Sequence, residues 1–120
     1  IDRLQIQQSV VRIDSVPYTE LKNYIMMSDV VVLPTMAEWF GLAIAEVCAL
    51  WTPLVTTNVW SVPEVVCGEK IQLVEPANPQ DIARGVVDVF KWKVMSISEK
   101  RFLWKECVEK FISVYERIWK

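Results

Sequence analysis

The chain has 120 residues, of which 52% are hydrophobic, and its 13 basic and 15 acidic side chains leave a formal charge of −2. This composition supports a buried core and excludes a disordered chain, and the lack of a basic stripe argues against nucleic acid as a partner. The chain contains no histidine, which excludes Ser-His-Asp and Cys-His nucleophiles, histidine acid–base catalysis and most transition-metal sites.

The cysteines and the short apolar runs predict a protein of a reducing compartment. Cys48, Cys67 and Cys107 are odd in number and widely spaced, so they indicate neither a disulfide framework nor a zinc site. Every apolar run is far shorter than the ~20 residues that span a membrane. Because Ile1 is not an initiator, we expect residues 1–120 to be a single partial domain of a longer, cytoplasmic protein.

The first half of the chain alternates short apolar stretches with helical patterns. The β-branched residues 10–13 predict a strand. Thr19 is expected to cap a helix whose apolar residues recur at helical spacing, and Asp29 to close it. Residues 30–33 predict a strand buried on both faces, and residues 41–50 a helix buried nearly all round.

The second half continues this alternation and ends in two helices. Strands are expected at residues 53–57 and 71–74, with a short helix between them at residues 62–67. Asn78, as an N-cap before a proline, opens a helix to about Lys93. Ser98 is expected to cap the last helix. The apolar residues of that helix form one stripe: Phe102, Cys107, Val108, Phe111, Ile112, Tyr115 and Ile118.

Short buried strands joined by helical crossovers predict an α/β fold, with a Rossmann-like parallel sheet and helices on both faces. In such sheets, ligands bind outside the carboxyl ends of the strands. That rule selects the loops after Ile13, Leu33, Thr57 and Val74 as candidate binding loops.

The loop after Leu33 leads into EWFGLAIAE, residues 38–46, which holds two carboxylates on either side of one glycine. Backbone N–H groups at a helix start near Gly41 form an anion site, and glycine allows a ligand to approach closely. On one helix, Glu38 and Glu46 would lie roughly 12 Å apart along the axis. This separation suits a nucleotide-sugar, with one acid at each hydroxyl-rich end. Two other interpretations stay open: Glu46 pairs with a lysine or caps a neighbouring element, and Glu38 is a solvated loop residue.

Several ordered blocks of sequence resemble a known family. They are SDVVVLPTMAEWFGLAIAEVCALWTPLVTTNVWSVPEVV at 28–66, LVEPANPQDIARGVVDVF at 73–90 and RFLWKECVEKFISVYERI at 101–118. The chain is similar to the C-terminal domain of the retaining glycosyltransferases of family 4, the group 1 family, which have the GT-B fold. In that family an acid, seven residues and a second acid surround Phe-Gly, as Glu38, Phe40, Gly41 and Glu46 do here.

The resemblance implies a role for each position in this stretch. Glu38 would be the catalytic residue, in contact with the donor sugar's hydroxyls on the reacting face. Glu46 would accept hydrogen bonds from the ribose hydroxyls. The backbone amides of Phe40, Gly41 and Leu42 would face the sugar and the diphosphate.

The resemblance also implies the reaction. A sugar would pass from a nucleoside-diphosphate sugar to an acceptor with retention at the anomeric carbon, without a metal or another cofactor. The chain has no Asp-x-Asp pair, so a divalent-metal clamp on the diphosphate has no obvious ligands. Val16 and Pro17 stand where the family's loop touches the base.

Three tryptophans, Trp39, Trp51 and Trp60, stand where this family commonly has glycine. Trp51 falls just past a predicted helix end, where a left-handed residue is usual and a residue other than glycine costs about 1 kcal/mol or more. One explanation is that the indoles pack on a partner domain or that the loops have shifted. The others are an impaired donor site and misread glycine codons.

Taken together, the resemblance implies the donor-binding part of a hexosyltransferase that is inactive without its N-terminal acceptor domain. The expected partners are a nucleotide-sugar donor, that missing domain, a lipid-linked or sugar acceptor, and a second copy of the chain through exposed helix faces. The expected location is the cytoplasm, or the periphery of the inner membrane face. Two alternatives stay open: a GT-B sugar-nucleotide epimerase, and a non-catalytic or degraded GT-B-like binding domain.

Overall fold

The computed structural model describes residues 2–101 and 103–119. Phe102, assigned above to the apolar stripe of the last helix, therefore lies outside the described residues, as does Ile1. After two short 3-10 turns at Asp2–Leu4 and Gln7–Ser9, helices and strands alternate. The elements are α1 (Tyr18–Met27), β1 (Val31–Leu33), α2 (Leu42–Ala49), β2 (Leu54–Thr57), α3 (Val62–Val65), β3 (Gly68–Val74), α4 (Pro79–Phe90), β4 (Met95–Ile97) and α5 (Trp104–Ile118).

The strands form one mostly parallel sheet in the order β1-β2-β3-β4. Val31 of β1 pairs with Leu54 of β2, which pairs with Ile71 of β3, and both ladders are parallel. The fourth strand runs antiparallel to β3, with a register shift between its two paired positions. The prediction of a Rossmann-like α/β sheet is confirmed, although β4 makes the sheet mixed.

Helices cover both faces of the sheet, and β2 lies in its interior. All four residues of β2 are buried, and successive side chains point to opposite faces. Leu54 belongs to a cluster with buried residues of α2 and α3, whereas Val55 belongs to a second cluster with Val89 of α4. This arrangement confirms the predicted layers and explains why residues 53–57 read as a continuous apolar run.

The fourth helix approaches the sheet closely at Gly85. A Cβ atom built on this residue would lie 2.8 Å from Cγ1 of Val74 and 3.1 Å from Cγ1 of Val55. Asn78 caps the same helix as predicted, since its Oδ1 accepts the backbone N–H of Asp81 at 3.1 Å. The cap and the close contact fix the position of α4 on its face of the sheet.

Two predicted elements are wrong. Residues 10–13 form no strand; they are exposed and irregular because β1, the edge of the described sheet, does not pair with them. Ser98 does not cap the last helix, which begins at Trp104 after Leu103. The three residues before Ser98 form β4 instead. β4 has only three residues, of which two are exposed, so no apolar pattern marks it.

Other predictions need smaller corrections. The first helix starts at Tyr18 with Pro17 in the cap position, not at Thr19, and Ser28 ends it through a backbone bond to Ile25. β1 is only half-buried because it is an edge strand. The second helix buries one face only, through Ile44, Val47 and Cys48.

The last helix is amphipathic, but no residue of it is buried. Its predicted apolar stripe is present on the helix from Cys107 to Ile118, and all of these side chains are exposed. Within residues 2–101 and 103–119, no helix combines the length and the apolar character needed to cross a bilayer.

Candidate functional site

The loop between β1 and α2 is held against the carboxyl end of β2 by hydroxyl groups. Thr57 of β2 donates to the carbonyl of Thr35 at 2.5 Å. Ser61, in the loop after β2, donates to the carbonyl of Glu38 at 3.0 Å. The loops after β1 and β2, both selected by the strand-end rule, therefore form one surface.

Glu38 lies at the N-terminus of α2 and binds the glycine that starts the helix. Its Oε1 accepts the backbone N–H of Gly41 at 3.0 Å, and Gly41 adopts a left-handed conformation with φ of 81°. The positive end of the helix dipole stabilises a carboxylate in this position. Glu38 is thus a loop residue, as one interpretation has it, but its side chain is half-buried and hydrogen-bonded instead of fully solvated.

The backbone amides at this helix start are not equivalent. The N–H of Gly41, expected to face a sugar and a diphosphate, is used by Glu38 in this structure. The first helical hydrogen bond runs from the N–H of Ala45 to the carbonyl of Gly41 at 2.9 Å. The amides of Leu42, Ala43 and Ile44 come before that bond and mark the anion-attracting end of the helix.

Glu46 lies one helical turn into α2 and is bound by a residue of α1. The hydroxyl of Tyr18 donates to its Oε1 at 2.9 Å. This hydrogen bond and the negative charge of Glu46 raise the pKa of Tyr18 above its ordinary value, so the phenol stays a donor at neutral pH. Glu46 thus pairs with a tyrosine and not with a lysine.

The two acids line two different cavities beside α2. Glu38 lines one of about 280 Å³ together with Thr35 and Ala43. Glu46 lines another of about 410 Å³ with Tyr18 and residues of α1. Val16 is half-buried and Pro17 exposed directly before α1. Neither belongs to the residues that line the second cavity.

A third cavity, of about 640 Å³, is lined in part by basic residues that no sequence motif selected. Phe40 and Leu42 line it from the helix start, and Arg101 and Lys110 line it from the C-terminal segment. These cations lie about sixty positions further along the chain, so no local motif connects them with the loop.

Comparison with known proteins identifies the family. The profile described as "Glycosyl transferases group 1" matches residues 1–117. The chain belongs to the group 1 glycosyltransferase family. The resemblance inferred from the sequence blocks is therefore confirmed.

Curated relatives of this glycosyltransferase chain are longer than the chain itself. An uncharacterized glycosyltransferase of Methanocaldococcus jannaschii is 29% identical over an alignment that covers 95% of this chain and 32% of the relative. The GPI3 subunit of phosphatidylinositol N-acetylglucosaminyltransferase from Saccharomyces cerevisiae is 21% identical, covering 98% of this chain and 28% of that protein. The D-inositol 3-phosphate glycosyltransferase of Paenarthrobacter aurescens is 36% identical over 59% of this chain and 18% of its own length. The chain thus spans about a third or less of these relatives.

Two of the tryptophans at glycine positions meet on the glycosyltransferase surface just described. The rings of Trp39 and Trp60 pack edge to face, with centroids 5.5 Å apart and planes at 77°. They come from the loops after β1 and β2. Trp51 follows α2 with φ of 56°, which confirms the left-handed position expected just past that helix.

The acidic and sulfur-containing side chains of this glycosyltransferase chain are dispersed. In the part of the chain that the structure describes, no three of its cysteine, aspartate and glutamate side chains converge in a way that would hold a metal ion. Glu38 and Glu46 therefore stand as separate carboxylates, each with its own hydrogen-bond donor.

Proposed function

We propose that this chain binds the nucleoside-diphosphate sugar in a retaining glycosyl transfer, as the donor-side part of a longer GT-B enzyme. The observation that carries the proposal is the placement of Glu38 and Glu46 in separate cavities beside one helix. The N-terminal amides of that helix attract an anion. This order of groups corresponds to sugar, diphosphate and ribose.

This placement supports a role for each residue. Glu46 accepts hydrogen bonds from the ribose, and Val16 and Pro17, which precede the same cavity in the chain, contact the base. Glu38 contacts the hydroxyls of the donor sugar. The bond from Gly41 to one of its oxygens holds the carboxylate at the helix start.

The amides of Phe40, Gly41 and Leu42 are assigned to the sugar and the diphosphate. The N–H of Gly41 donates to Glu38 in this structure. It can donate to the donor substrate only if that hydrogen bond to Glu38 is broken when the substrate binds. Arg101 and Lys110 line the cavity on the other side of Phe40 and Leu42 together with one acid, Glu106. The two cations outnumber this carboxylate, so the lining would attract the diphosphate.

The acceptor is assigned to an N-terminal domain that is not part of this chain. The names of two relatives specify phosphatidylinositol and D-inositol 3-phosphate. A lipid-linked or sugar acceptor carrying a hydroxyl group is accordingly proposed here, with a hexose as the transferred group. We further propose that transfer needs no metal. The protein is proposed to act in the cytoplasm or at the inner membrane face. Exposed helix faces such as that of α5 would contact the acceptor domain or a second copy of the chain.

Calorimetric titration of the chain with UDP, GDP and ADP tests the donor role. One nucleotide should bind saturably. Glu46→Ala should lower the affinity for that nucleotide roughly tenfold or more, since a hydrogen bond to a charged group contributes about 1.5–3 kcal/mol. Glu69→Ala, which removes an exposed carboxylate of β3, is the matched control and should bind as the unaltered chain does. Equal affinities for all three proteins would refute the ribose role.

A second candidate function, a non-catalytic nucleotide-binding module, is favoured by the exposed indole of Trp39 in the loop that leads to the site. The two functions differ in turnover. The protein with its upstream domain should transfer labelled sugar in the presence of a chelator if the first is correct. Donor binding without transfer would favour the module, and strict dependence on Mn²⁺ or Mg²⁺ would contradict the metal-free reaction.

A further inference from the structure

The hydroxyl of Tyr18 restrains the Glu46 carboxylate from a different helix. The bond to Oε1 is 2.9 Å long, and both side chains line the cavity of about 410 Å³. A carboxylate on a flexible side chain loses rotational freedom when a ligand binds it, and a partner that orients it beforehand reduces that loss. The structure shows such a partner, 28 residues away in the sequence.

We propose that Tyr18 is a positioning residue for ribose recognition. Its hydroxyl engages one oxygen of Glu46 and thereby presents the other oxygen to a ribose hydroxyl. This inference rests on the proposed role of Glu46. It adds a specificity determinant, because an oriented carboxylate discriminates a ribonucleotide from a deoxyribonucleotide better than a freely rotating one.

The test compares a ribonucleotide with its 2′-deoxy form by calorimetry, using the diphosphate that the unaltered chain binds most tightly among UDP, GDP and ADP. Tyr18→Phe should lower the affinity for the ribonucleotide roughly five- to tenfold and the affinity for the deoxynucleotide much less. The ratio of the two affinities should therefore fall. Tyr24→Phe, in the same helix, is the matched control and should leave both affinities unchanged.

Each other result has a distinct meaning. An unchanged ratio in Tyr18→Phe overturns the positioning role while the proposed function stands, provided that Glu46→Ala still abolishes the discrimination. If the ratio of ribonucleotide to deoxynucleotide affinity is unchanged in Glu46→Ala, the ribose role of Glu46 is refuted. Absence of nucleotide binding by the unaltered chain overturns both.

A different observation, independent of the ribose, concerns the tryptophans with left-handed backbones. Trp51, Trp60 and Trp92 have φ values of 56°, 41° and 57°. A bulky residue rarely adopts this conformation, which costs about 1–2 kcal/mol for any residue with a Cβ, whereas glycine adopts it readily. Gln5 and Ala77 are the other residues besides glycine with positive φ in the described chain.

Two of these tryptophans end helices in the position that glycine prefers. After α4, the N–H of Trp92 bonds to the carbonyl of Val89 and the N–H of Lys93 to that of Asp88, which is the Schellman arrangement with Trp92 as its left-handed residue. Trp51 bonds in the same way to the carbonyl of Cys48 at the end of α2.

The third tryptophan occupies a turn that also selects glycine. The N–H of Val62 bonds to the carbonyl of Val59 at 2.9 Å, so Trp60 is the second residue of a β-turn. Positive φ at that position defines the I′ and II′ turns, in which glycine, asparagine and aspartate predominate. All three strained positions thus have backbone geometries that favour glycine.

The indoles gain little burial to offset this strain, although Trp60 packs against Trp39 and Lys70 Nζ lies 3.6 Å from the ring centroid of Trp92. Trp51, Trp60 and Trp92 are 59%, 64% and 72% exposed, although tryptophan is usually well buried. Trp60 lies at the carboxyl end of the strands, whereas Trp51 and Trp92 follow helices and lie at the opposite end of the α/β layers. No single partner surface would cover all three.

We infer that the native polypeptide carries glycine at positions 51, 60 and 92, and that the codons there are read as glycine in the source organism. The glycine content agrees with this inference, because 3 glycines in 120 residues fall well below the about 7% of average usage. Trp104, whose backbone lies in the first turn of α5, shows no such strain and is expected to remain tryptophan.

Peptide mass spectrometry of the protein isolated from its native source decides the matter. Peptides containing positions 51, 60 and 92 should have the mass of glycine, while the peptide containing Trp104 should keep that of tryptophan and serves as the internal reference. Tryptophan masses at all three positions, or the standard tryptophan codon UGG at each of them in the gene, would overturn the inference.

Discussion

Replacing Gly41 with alanine should destabilise the fold by about 2–3 kcal/mol. The left-handed backbone, with φ of 81°, costs an alanine roughly 1–2 kcal/mol. The new Cβ would lie 3.1 Å from Cδ1 of Ile44 and 3.2 Å from Cγ of Glu38. Ile44 is only 2% exposed and must shift by a few tenths of an ångström, so overpacking adds about 1 kcal/mol.

Urea unfolding followed by circular dichroism measures this effect. With a slope of about 1–3 kcal/mol per molar urea, the midpoint should fall by about 1 M or more at unchanged slope. Gly41→Asn separates the two causes, because asparagine also has a Cβ but tolerates the left-handed conformation better. A smaller loss of stability in that variant would identify backbone strain, rather than overpacking, as the main cause.

The same substitution should also weaken donor binding. Glu38 must shift by a few tenths of an ångström away from the added Cβ, which weakens its hydrogen bond to the N–H of residue 41 and disturbs the position of the carboxylate at the helix start. An alanine variant with the stability and nucleotide affinity of the unaltered chain would refute the reasoning, since neither the conformation of Gly41 nor its contact with Glu38 would then matter.

Three further predictions concern the scaffold. Asn78→Ala removes an N-cap and should lower the free energy of unfolding by about 1 kcal/mol in the same assay, whereas an unchanged value would show that the cap contributes nothing. Gly85→Ala should destabilise α4 by about 1–2 kcal/mol in spite of a better helix propensity, and in a double-mutant cycle with Val74→Ala the combined loss should be smaller than the sum of the two single losses; a stabilised single variant would contradict the close contact. Burial raises the pKa of the Cys48 thiol above its ordinary 9.0, so its contribution to stability is present below that pH and is lost as the pH rises through the raised value. Iodoacetamide at pH 8 should accordingly modify the exposed Cys107 long before Cys48, and equal labelling rates in the native protein would disprove this protection.

Local patterns were sufficient for the elements whose own residues carry a clear signal. The apolar run at 53–57 became β2, and Asn78 with the following proline started α4. The left-handed position of Trp51 was also predictable, because a helix end followed by a non-helical segment requires such a residue. The cap and the helix end depend on interactions over a few residues, and β2 is marked by its continuous apolar run, so the sequence displays all three directly.

Elements that require a distant partner were not predictable in this way. Residues 10–13 have the β-branched composition of a strand, but no neighbouring strand pairs with them. Conversely, β4 has almost no pattern of its own and exists because Gly68 and Ile71 of β3 provide its partners. Pairing between strands depends on the whole chain, so composition alone misassigned both segments.

In the candidate site, too, some features have a local signal in the sequence and others depend on distant partners. From the sequence by itself came the α/β class, the family resemblance and the two acids on either side of Gly41, because the family motif and the strand-end rule are local in the chain. Only the tertiary structure decided that Glu38 binds the N–H of Gly41, that Glu46 binds Tyr18, and that each acid lines its own cavity. The physical reason is that hydrogen-bond partners and cavities are set by how α1 and α2 pack on the sheet, and that packing joins residues far apart in the sequence.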